Sequence, residues 1–336
     1  MQILDQSKYK DFYGEKFKNL VLSKATNLDH EIIFFEDKRK TENFLVFESN
    51  QLLAAVPFFF EKSSDGKELI GSYYNLSIPG PIILQDVSEK KFKKVIKTII
   101  DEIEIRSKKK NLKKIKINFS DTINIKIGSQ KYFILNELLS NSNFSNTSFM
   151  GLRIDLNNDI DSIVKNFSKG HKSELKKQLN QKYFFYNYEK KKLTYDQFYS
   201  LVKDQIDVED YCIPLYEIYK KNKIFLVYSL DNSKEIFSSL FSITGNTVEY
   251  FVDTLSSSNH HSLIYSSCVY FKKMEGIRFL NFGIINYLNH IKLKQSEKKK
   301  NIALFKKGFG GEKFQYTFFE KIFWDEISKQ KGKKDY

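Results

Sequence analysis

The sequence predicts a mixed α/β protein of two domains, and three observations carry this prediction. Apolar alternation typical of strands and apolar residues at helical spacing follow one another along both halves of the 336-residue chain. The length suffices for two domains of ordinary size. A Ser/Asn-rich stretch at 140–148 interrupts the pattern and marks a boundary. We therefore expect a first domain at 1–146, with 317–336 as a candidate return segment, and a second domain at 147–316.

The first half is predicted to contain strands at 43–48 and 51–62, joined by a short turn at Ser49-Asn50. A helix is expected between 87 and 108, followed by a strand at 112–119. The helix prediction depends on apolar residues that recur every three or four positions, namely Phe92, Val95, Ile96, Ile99, Ile100 and Ile103.

The second half repeats this order of elements. A strand at 150–156 precedes a helix that opens at Ile160, with Asn158 or Asp159 as its N-cap. A helix at 198–219 leads into three strands at 224–230, 235–244 and 247–255. A helix at 262–274, ended by Gly276, then precedes a buried strand at 277–283.

Composition restricts the class of partner. The net charge of +14 favours phosphate-bearing partners, but arginine occurs only at Arg39, Arg106, Arg153 and Arg278. Base-specific DNA contacts depend largely on arginine, so DNA is not an expected partner. Two cysteines without a CxxC pair argue against a disulfide framework or a cysteine metal site. No secretion signal and no apolar run of spanning length is visible, so a cytoplasmic protein without a transmembrane segment is expected.

Four short patterns stand in order in the second half: FSKGHKSELKKQL at 167–179, EYFVDTLS at 249–256, MEGIRFLNFG at 274–283 and LFKKGFGG at 304–311. Together they resemble the FemABX family of acyltransferases and its GNAT-like relatives. The first half adds Ser77-Ile-Pro-Gly-Pro81, where relatives often carry Tyr-Gly-Gly-Pro. One departure is that Ile284 stands where the family's Asp/Asn-x-Gly-Gly has its second glycine.

The resemblance implies two GNAT-like domains, with an active cleft near the split sheet of the second. It also implies acyl transfer to an amine without a covalent enzyme intermediate. The expected acceptor is a cell-envelope precursor, such as a peptidoglycan or surface-glycan (polysaccharide) nucleotide sugar. The acyl donor is aminoacyl-tRNA or acyl-CoA, and no tightly bound cofactor is expected. The Gly-rich pyrophosphate signature of coenzyme-A-using GNATs is absent, which favours charged tRNA.

Lys306 is the first candidate catalytic residue. Acyl transfer to an amine passes through a tetrahedral oxyanion, which needs a cation or N–H donors where its charge develops. The resemblance implies this role for the lysine of Phe305-Lys306, and an ammonium is a compact charge suited to it. The alternative is a solvated surface lysine.

Asp253 and Tyr250 are candidates for orienting the acceptor amine or accepting its proton. The alternative for Tyr250 is a plain strand aromatic.

Substrate-binding candidates come from the same patterns. Lys169, Lys172 and Lys176 share a helix face flanked by His171, which suits phosphates of a nucleotide, tRNA or coenzyme A. A solvated face is the alternative. Ser256, with Ser257 and Ser258, precedes a helix start where an anion or an N-cap belongs. The resemblance implies further substrate contacts at Asn281, Gly283, Phe305, Phe309 and Gly310.

The glycines at 308–311 permit backbone positions closed to other residues, and so a close ligand approach. The alternative is a loose turn between helix and final strand.

No metal site is expected, because His260 and His261 are adjacent and do not share a helix face. Two alternative functions stay open. One is acyl-CoA-dependent N-acylation of an amino sugar, and the other is non-catalytic polyanion binding on a degenerate transferase fold.

Overall fold

The structure is a computed structural model that describes residues 1–5, 40–62, 69–71, 78–84, 86–119, 128–203, 209–231, 234–253, 260–287 and 297–323. Both halves of the chain contain helices and strands, which confirms the predicted mixed α/β class. The described residues fall into two compact units. The first holds the chain up to Ser148 together with the segment from Tyr316 onward, and the second contains Phe149–Gln315.

Among its described residues, the first unit contains ten strands and two helices before the chain enters the second unit. The strands are β1 (Gln2–Asp5), β2 (Lys40–Thr41), β3 (Phe44–Glu48), β4 (Gln51–Val56), β5 (Phe59–Lys62), β6 (Leu69–Gly71), β7 (Ile78–Pro79), β8 (Ile82–Ile83), β9 (Lys114–Asn118) and β10 (Ser145–Asn146). The helices are α1 (Glu89–Lys109) and α2 (Gln130–Asn141). Helix α1 is N-capped by Ser88 and buries all six apolar residues from which it was predicted.

The prediction of one strand at 51–62 is wrong. Strand β4 pairs with β3 and β8, whereas β5 pairs with β2 and β6 in a different sheet. Pro57 lies between β4 and β5, and proline has no N–H to contribute to a ladder. The chain therefore changes sheets at this residue.

The second unit is built on one seven-stranded sheet, in the order β12-β13-β14-β15-β16-β11-β17. Its strands are β11 (Phe149–Asp155), β12 (Tyr183–Tyr186), β13 (Ile224–Asp231), β14 (Lys234–Thr244), β15 (Thr247–Asp253), β16 (Phe279–Tyr287) and β17 (Glu312–Tyr316). Its helices are α3 (Ile160–Lys165), α4 (Lys169–Gln178), α5 (Tyr195–Val202), α6 (Glu209–Lys220), α7 (His260–Phe271) and α8 (Glu297–Gly308). Asp159 is the N-cap of α3, as its short polar side chain predicts.

Three predicted elements of this unit need correction. The helix expected at 198–219 is two helices, α5 and α6. The helix expected at 262–274 is α7, which begins two residues earlier and ends at Phe271. The strand expected to end at Gly283 continues to Tyr287, because β16 absorbs this glycine in an irregular pairing with β11.

The chain returns to the first unit through β18 (Phe318–Ile322), which lies between β9 and β10 in the seven-stranded sheet of that unit. β18 pairs antiparallel with both neighbours. Phe319, at 0% exposure, places its ring edge-to-face with Phe119 at 5.8 Å. Across the described helices, none is long and apolar enough to cross a membrane.

Candidate functional site

The sheet of the second unit opens between β15 and β16. These strands run parallel and pair over Thr247–Glu249 and Phe279–Asn281. Beyond these residues, β15 stays with β14 up to Asp253, whereas β16 follows β11 up to Tyr287. The two strands therefore part at their carboxyl ends, where open α/β sheets bind ligands.

Irregular pairing explains the split. In β15 the register against β14 shifts between Val252 and Tyr250, so that Phe251 is the extra residue. In β16 the register against β11 shifts twice, and Gly283, with φ +70°, lies within the first shift. Bulges bend a strand and increase its twist, and both strands carry one just beyond their last shared pair.

Asn281 holds the two strands together at the point where they part. Its side-chain Nδ2 donates a hydrogen bond to Glu249 Oε1 on β15 at 3.0 Å. Its Oδ1 accepts a hydrogen bond from the Gly283 backbone N–H at 2.8 Å. Asn281 is 4% exposed, and buried amides of this kind stabilise the backbone they bridge. In this structure the side chain shapes the bulge that carries Gly283.

Lys306 lies over this bulge. Helix α8 packs on β16, and a Cβ atom at Gly283 would lie 3.7 Å from Lys306 Nζ. The side chain is partly buried, and burial lowers the pKa of Lys306 from 10.5 to about 8. At neutral pH the side chain is therefore mainly a cation in a partly desolvated place. A charge in such a place acts more strongly on a nearby reacting group than it would in water.

Three residues that are expected to contact substrate form a cluster with His261. They are His171, Phe305 and Phe309, and Phe305 directly precedes Lys306 in the chain. The His171 ring lies 4.6 Å from His261, 5.3 Å from Phe305 and 4.5 Å from Phe309. Phe309 is 1% exposed and stacks on Phe282 at 5.5 Å. A ring buried this far contributes packing in the resting structure. Burial lowers the pKa of both histidines.

The glycines of the 304–311 pattern are explained by close approach of the chain to itself. A methyl group at Gly308 would overlap the His171 ring. Gly310 has φ +68°, and a Cβ atom there would lie 2.6 Å from the carbonyl oxygen of Asn166. These contacts account for Gly308 and Gly310 in the resting structure, and the substrate contact expected at Gly310 stays a prediction.

The other candidates lie in different places. Tyr250 packs against Phe241 at 5.2 Å and borders the hydrophobic core. Asp253 is the last residue of β15, opposite Ser239, and thus at the open end of the split. Lys172 and Lys176 are on α4, with Lys176 exposed. Ser256, Ser257 and Ser258 lie outside the described residues.

No group of three or more His, Cys, Asp or Glu side chains suited to a metal ion occurs among the residues that the structure describes. The rings of His260 and His261 both pack on Phe305, at 5.5 Å and 5.4 Å.

Three further residues build this region and are not among the predicted site residues. They are Glu249, Ser168 and His261. Glu249 is the partner of Asn281, and Ser168 is the N-cap of α4. A local signal existed for Ser168, because Ser followed by a helical pattern is typical of an N-cap. The contacts of Glu249 and His261 join residues distant in sequence, which no local pattern reveals.

Comparisons with solved structures find the same fold at low sequence identity. The crystal structure of FemX matches with a TM-score of 0.67 at 11% identity, over 98% of this chain and 99% of that one. A tandem GNAT protein from the clavulanic acid biosynthesis pathway matches with a TM-score of 0.53 at 8% identity, over 96% and 98% of the chains. L-PGS from Bacillus licheniformis matches with a TM-score of 0.51 at 11% identity, over 94% of each chain.

No protein-family model and no curated protein matches this sequence. At these identities the structural matches establish the fold. The chain has the architecture of proteins with two GNAT-like domains, as the resemblance to FemABX and GNAT proteins implied. Fold alone does not fix chemistry, so the function must be argued from the site.

Proposed function

We propose that this chain is an acyltransferase that moves an acyl or aminoacyl group onto an amine of a cell-envelope precursor. The second unit, at Phe149–Gln315, is its catalytic part. The observation that carries the proposal is the partly buried ammonium of Lys306, held over Gly283 where β15 and β16 part. The FemX-like fold over nearly the whole chain supports the aminoacyl form of this activity.

In the proposed reaction, the acceptor nitrogen attacks the carbonyl carbon of the donor ester or thioester. The carbonyl oxygen becomes an oxyanion, and the Lys306 ammonium is the proposed group that stabilises its charge. Collapse of the intermediate re-forms the carbonyl and expels the ribose oxygen or the coenzyme A sulfur. The amine loses a proton, the leaving group gains one, and an amide remains.

Asp253 is the proposed group for orienting the acceptor amine, since it ends β15 at the open side of the split. Tyr250 lies on the same strand, packed against Phe241, and is the weaker candidate for contact with substrate. A carboxylate near an acceptor amine can orient it or take up its proton. The phosphates of a nucleotide sugar or tRNA would lie along the lysines of α4.

Acyl-CoA is the alternative donor of the acyl group. The tandem GNAT protein that shares this fold was solved without AcCoA, as its name states. Both donors present an activated carbonyl carbon at the end of a long chain, so the proposed reaction applies to either. We propose charged tRNA first and acyl-CoA second, with both reactions placed in the cytoplasm.

The experiment offers both donors separately to the purified chain. Charged tRNA or a set of acyl-CoA thioesters is mixed with an extract of nucleotide-sugar precursors, and mass spectrometry detects new amide adducts. The K306A variant is run beside the wild type. We expect adducts with charged tRNA that K306A forms far more slowly. Adducts with acyl-CoA alone would instead indicate a sugar N-acyltransferase.

A lack of adducts with both donors, combined with salt-sensitive RNA binding, would contradict the proposal. That result would favour the third possibility, a polyanion-binding protein on a transferase fold. The high lysine content of the chain is the observation that motivates this alternative.

A further inference from the structure

The last turn of α8 is closed by hydrogen bonds from two sides. The final four carbonyls of a helix have no partner within it. Here Lys306 O and Lys307 O accept hydrogen bonds from Phe309 N at 3.2 Å and Gly310 N at 3.1 Å. Gly308 O accepts from the backbone N–H of Ser168 at 2.7 Å. Phe305 O is bonded to the His171 ring, with Nε2 at 2.9 Å.

The hydrogen bonds of His171 define the tautomer of its neutral ring. A carbonyl oxygen only accepts, so Nε2 must carry the proton. In the neutral ring, Nδ1 then accepts a hydrogen bond from Ser168 Oγ at 3.0 Å. Burial lowers the pKa of His171, which agrees with this neutral form. The ring is therefore fixed at both nitrogens, between the first turn of α4 and the last turn of α8.

The hydrogen bond to Phe305 O acts directly on Lys306. That carbonyl belongs to the planar peptide unit that joins Phe305 to Lys306. Fixing its direction fixes the orientation of the Lys306 Cα, and with it the direction in which the side chain leaves α8. Gly308 leaves the space that the His171 ring occupies beside this turn.

We propose that His171 is a positioning residue, which holds the Phe305–Lys306 peptide through its Nε2–H and so keeps the Lys306 ammonium over Gly283. The inference rests on the proposed function only in giving Lys306 a catalytic role. The position and pKa of Lys306 can be measured on the resting protein, without donor or acceptor.

The test measures how fast Lys306 reacts with an amine-specific acylating reagent between pH 7 and 11. Labelling is quantified by mass spectrometry of chymotryptic peptides in a K307R background, which removes the neighbouring amine. Wild type should show an inflection at about pH 8. H171M replaces the ring with a side chain that has no hydrogen-bond donor. It should move the inflection up by about one pH unit or more, so that the fraction of neutral Lys306 amine at pH 8 falls about fivefold.

H171Q is the matched variant, since a glutamine amide of similar length can donate to Phe305 O. It should keep the wild-type inflection. A shift in H171Q equal to that in H171M would show that packing alone matters and would overturn the proposal. An unchanged inflection in H171M would overturn it as well.

G308A provides a second route if H171M does not fold by circular dichroism. Its methyl group should displace the His171 ring and raise the pH of the Lys306 inflection, as H171M does. The H171A/G308A double variant should have the same inflection as H171A, because no ring is left to displace. If these labelling results hold but K306A transfers acyl groups normally, the positioning inference stands and the proposed function fails.

Discussion

Lys306 combines charge with a partly desolvated position, and this combination has an energetic consequence. Its pKa is about 8 in the folded chain, against an ordinary value of 10.5. The unfolded chain therefore binds this proton more tightly. Below about pH 8 the folded state bears the full cost of holding the charge. The cost fades as the pH rises from about 8 to about 10.5, since the folded chain loses its proton first.

K306M should therefore stabilise the protein at pH 7. Removing the charge should raise the free energy of unfolding by on the order of 1 to 2 kcal/mol, which is less than the pKa difference alone gives because the side chain is partly exposed. The gain should shrink towards pH 10.5. Chemical denaturation at pH 7 and pH 10 measures it, with K307M as the control at an exposed lysine of the same helix. Equal stability of K306M and wild type at both pH values would contradict the cause given for the pKa.

The prediction of Lys306 from sequence was possible because a motif carries it, and the structure gives it an environment that the motif does not contain. His171 shows the opposite case. Its place in a basic helix pattern suggested phosphate binding, whereas its ring nitrogens bond to Phe305 O and Ser168 Oγ. Phe305 is 134 positions away, and no local periodicity encodes such a contact.

At the scale of elements, the turn after α8 shows why glycine patterns are ambiguous. Gly310 and the neighbouring Gly311 both have positive φ, and added Cβ atoms would meet the backbone of Asn166 and Arg153 respectively. A glycine required by close backbone packing and a glycine required by a ligand look identical in a sequence. Only the three-dimensional neighbours distinguish them.

G310A should therefore destabilise the protein, and G170A should not. At Gly310 the new methyl group meets a carbonyl oxygen and the left-handed backbone disfavours alanine, so we expect a loss of about 1 to 3 kcal/mol. Gly170 lies in α4 with no atom within 4 Å of an added Cβ, and alanine there should stabilise by up to about 1 kcal/mol. Thermal unfolding of both variants measures the difference. Equal melting temperatures would show that the turn does not need its glycine.

The split between β15 and β16 lies at the limit of sequence analysis. Apolar alternation placed these strands to within a few residues, but bulges depend on which residues face each other across a ladder. The sequence therefore predicts a strand end at Gly283, whereas β16 continues through it to Tyr287. The change of sheet at Pro57 could have been predicted, because proline inside an apolar run argues against one continuous strand.

At the scale of the whole molecule, the chain closes its first unit with its last described strand. β18 lies between β9 and β10, which are about 200 and 170 residues earlier in sequence by the register pairs Phe319 to Ile117 and Phe319 to Asn146. The seven-stranded sheet of the first unit is thus incomplete until the second unit has been synthesised. Contacts of this sequence separation slow folding.

F319A should destabilise the first unit strongly. Phe319 is fully buried against Phe119, and truncating such a ring costs about 3 to 5 kcal/mol. I322A on the same strand changes a residue that is 47% exposed and should cost far less. Limited proteolysis and thermal unfolding compare the two. A melting temperature for F319A equal to that of I322A would mean that β18 contributes little to this unit.

The most direct test of the central claim is the pH dependence of kcat for wild type, K306R, K306A and K307A with the donor that gives adducts. We expect K306A to lose about 10² to 10³ in kcat and K307A to stay within about threefold of wild type. Arginine keeps its charge at alkaline pH, so the ratio of the wild-type rate to the K306R rate should fall as the pH rises through about 8. This ratio cancels the titration of the acceptor amine, which both enzymes share. A ratio that is flat or rises through pH 8, or a K306A rate within a few-fold of wild type, would contradict the assignment of Lys306 as the cation of acyl transfer.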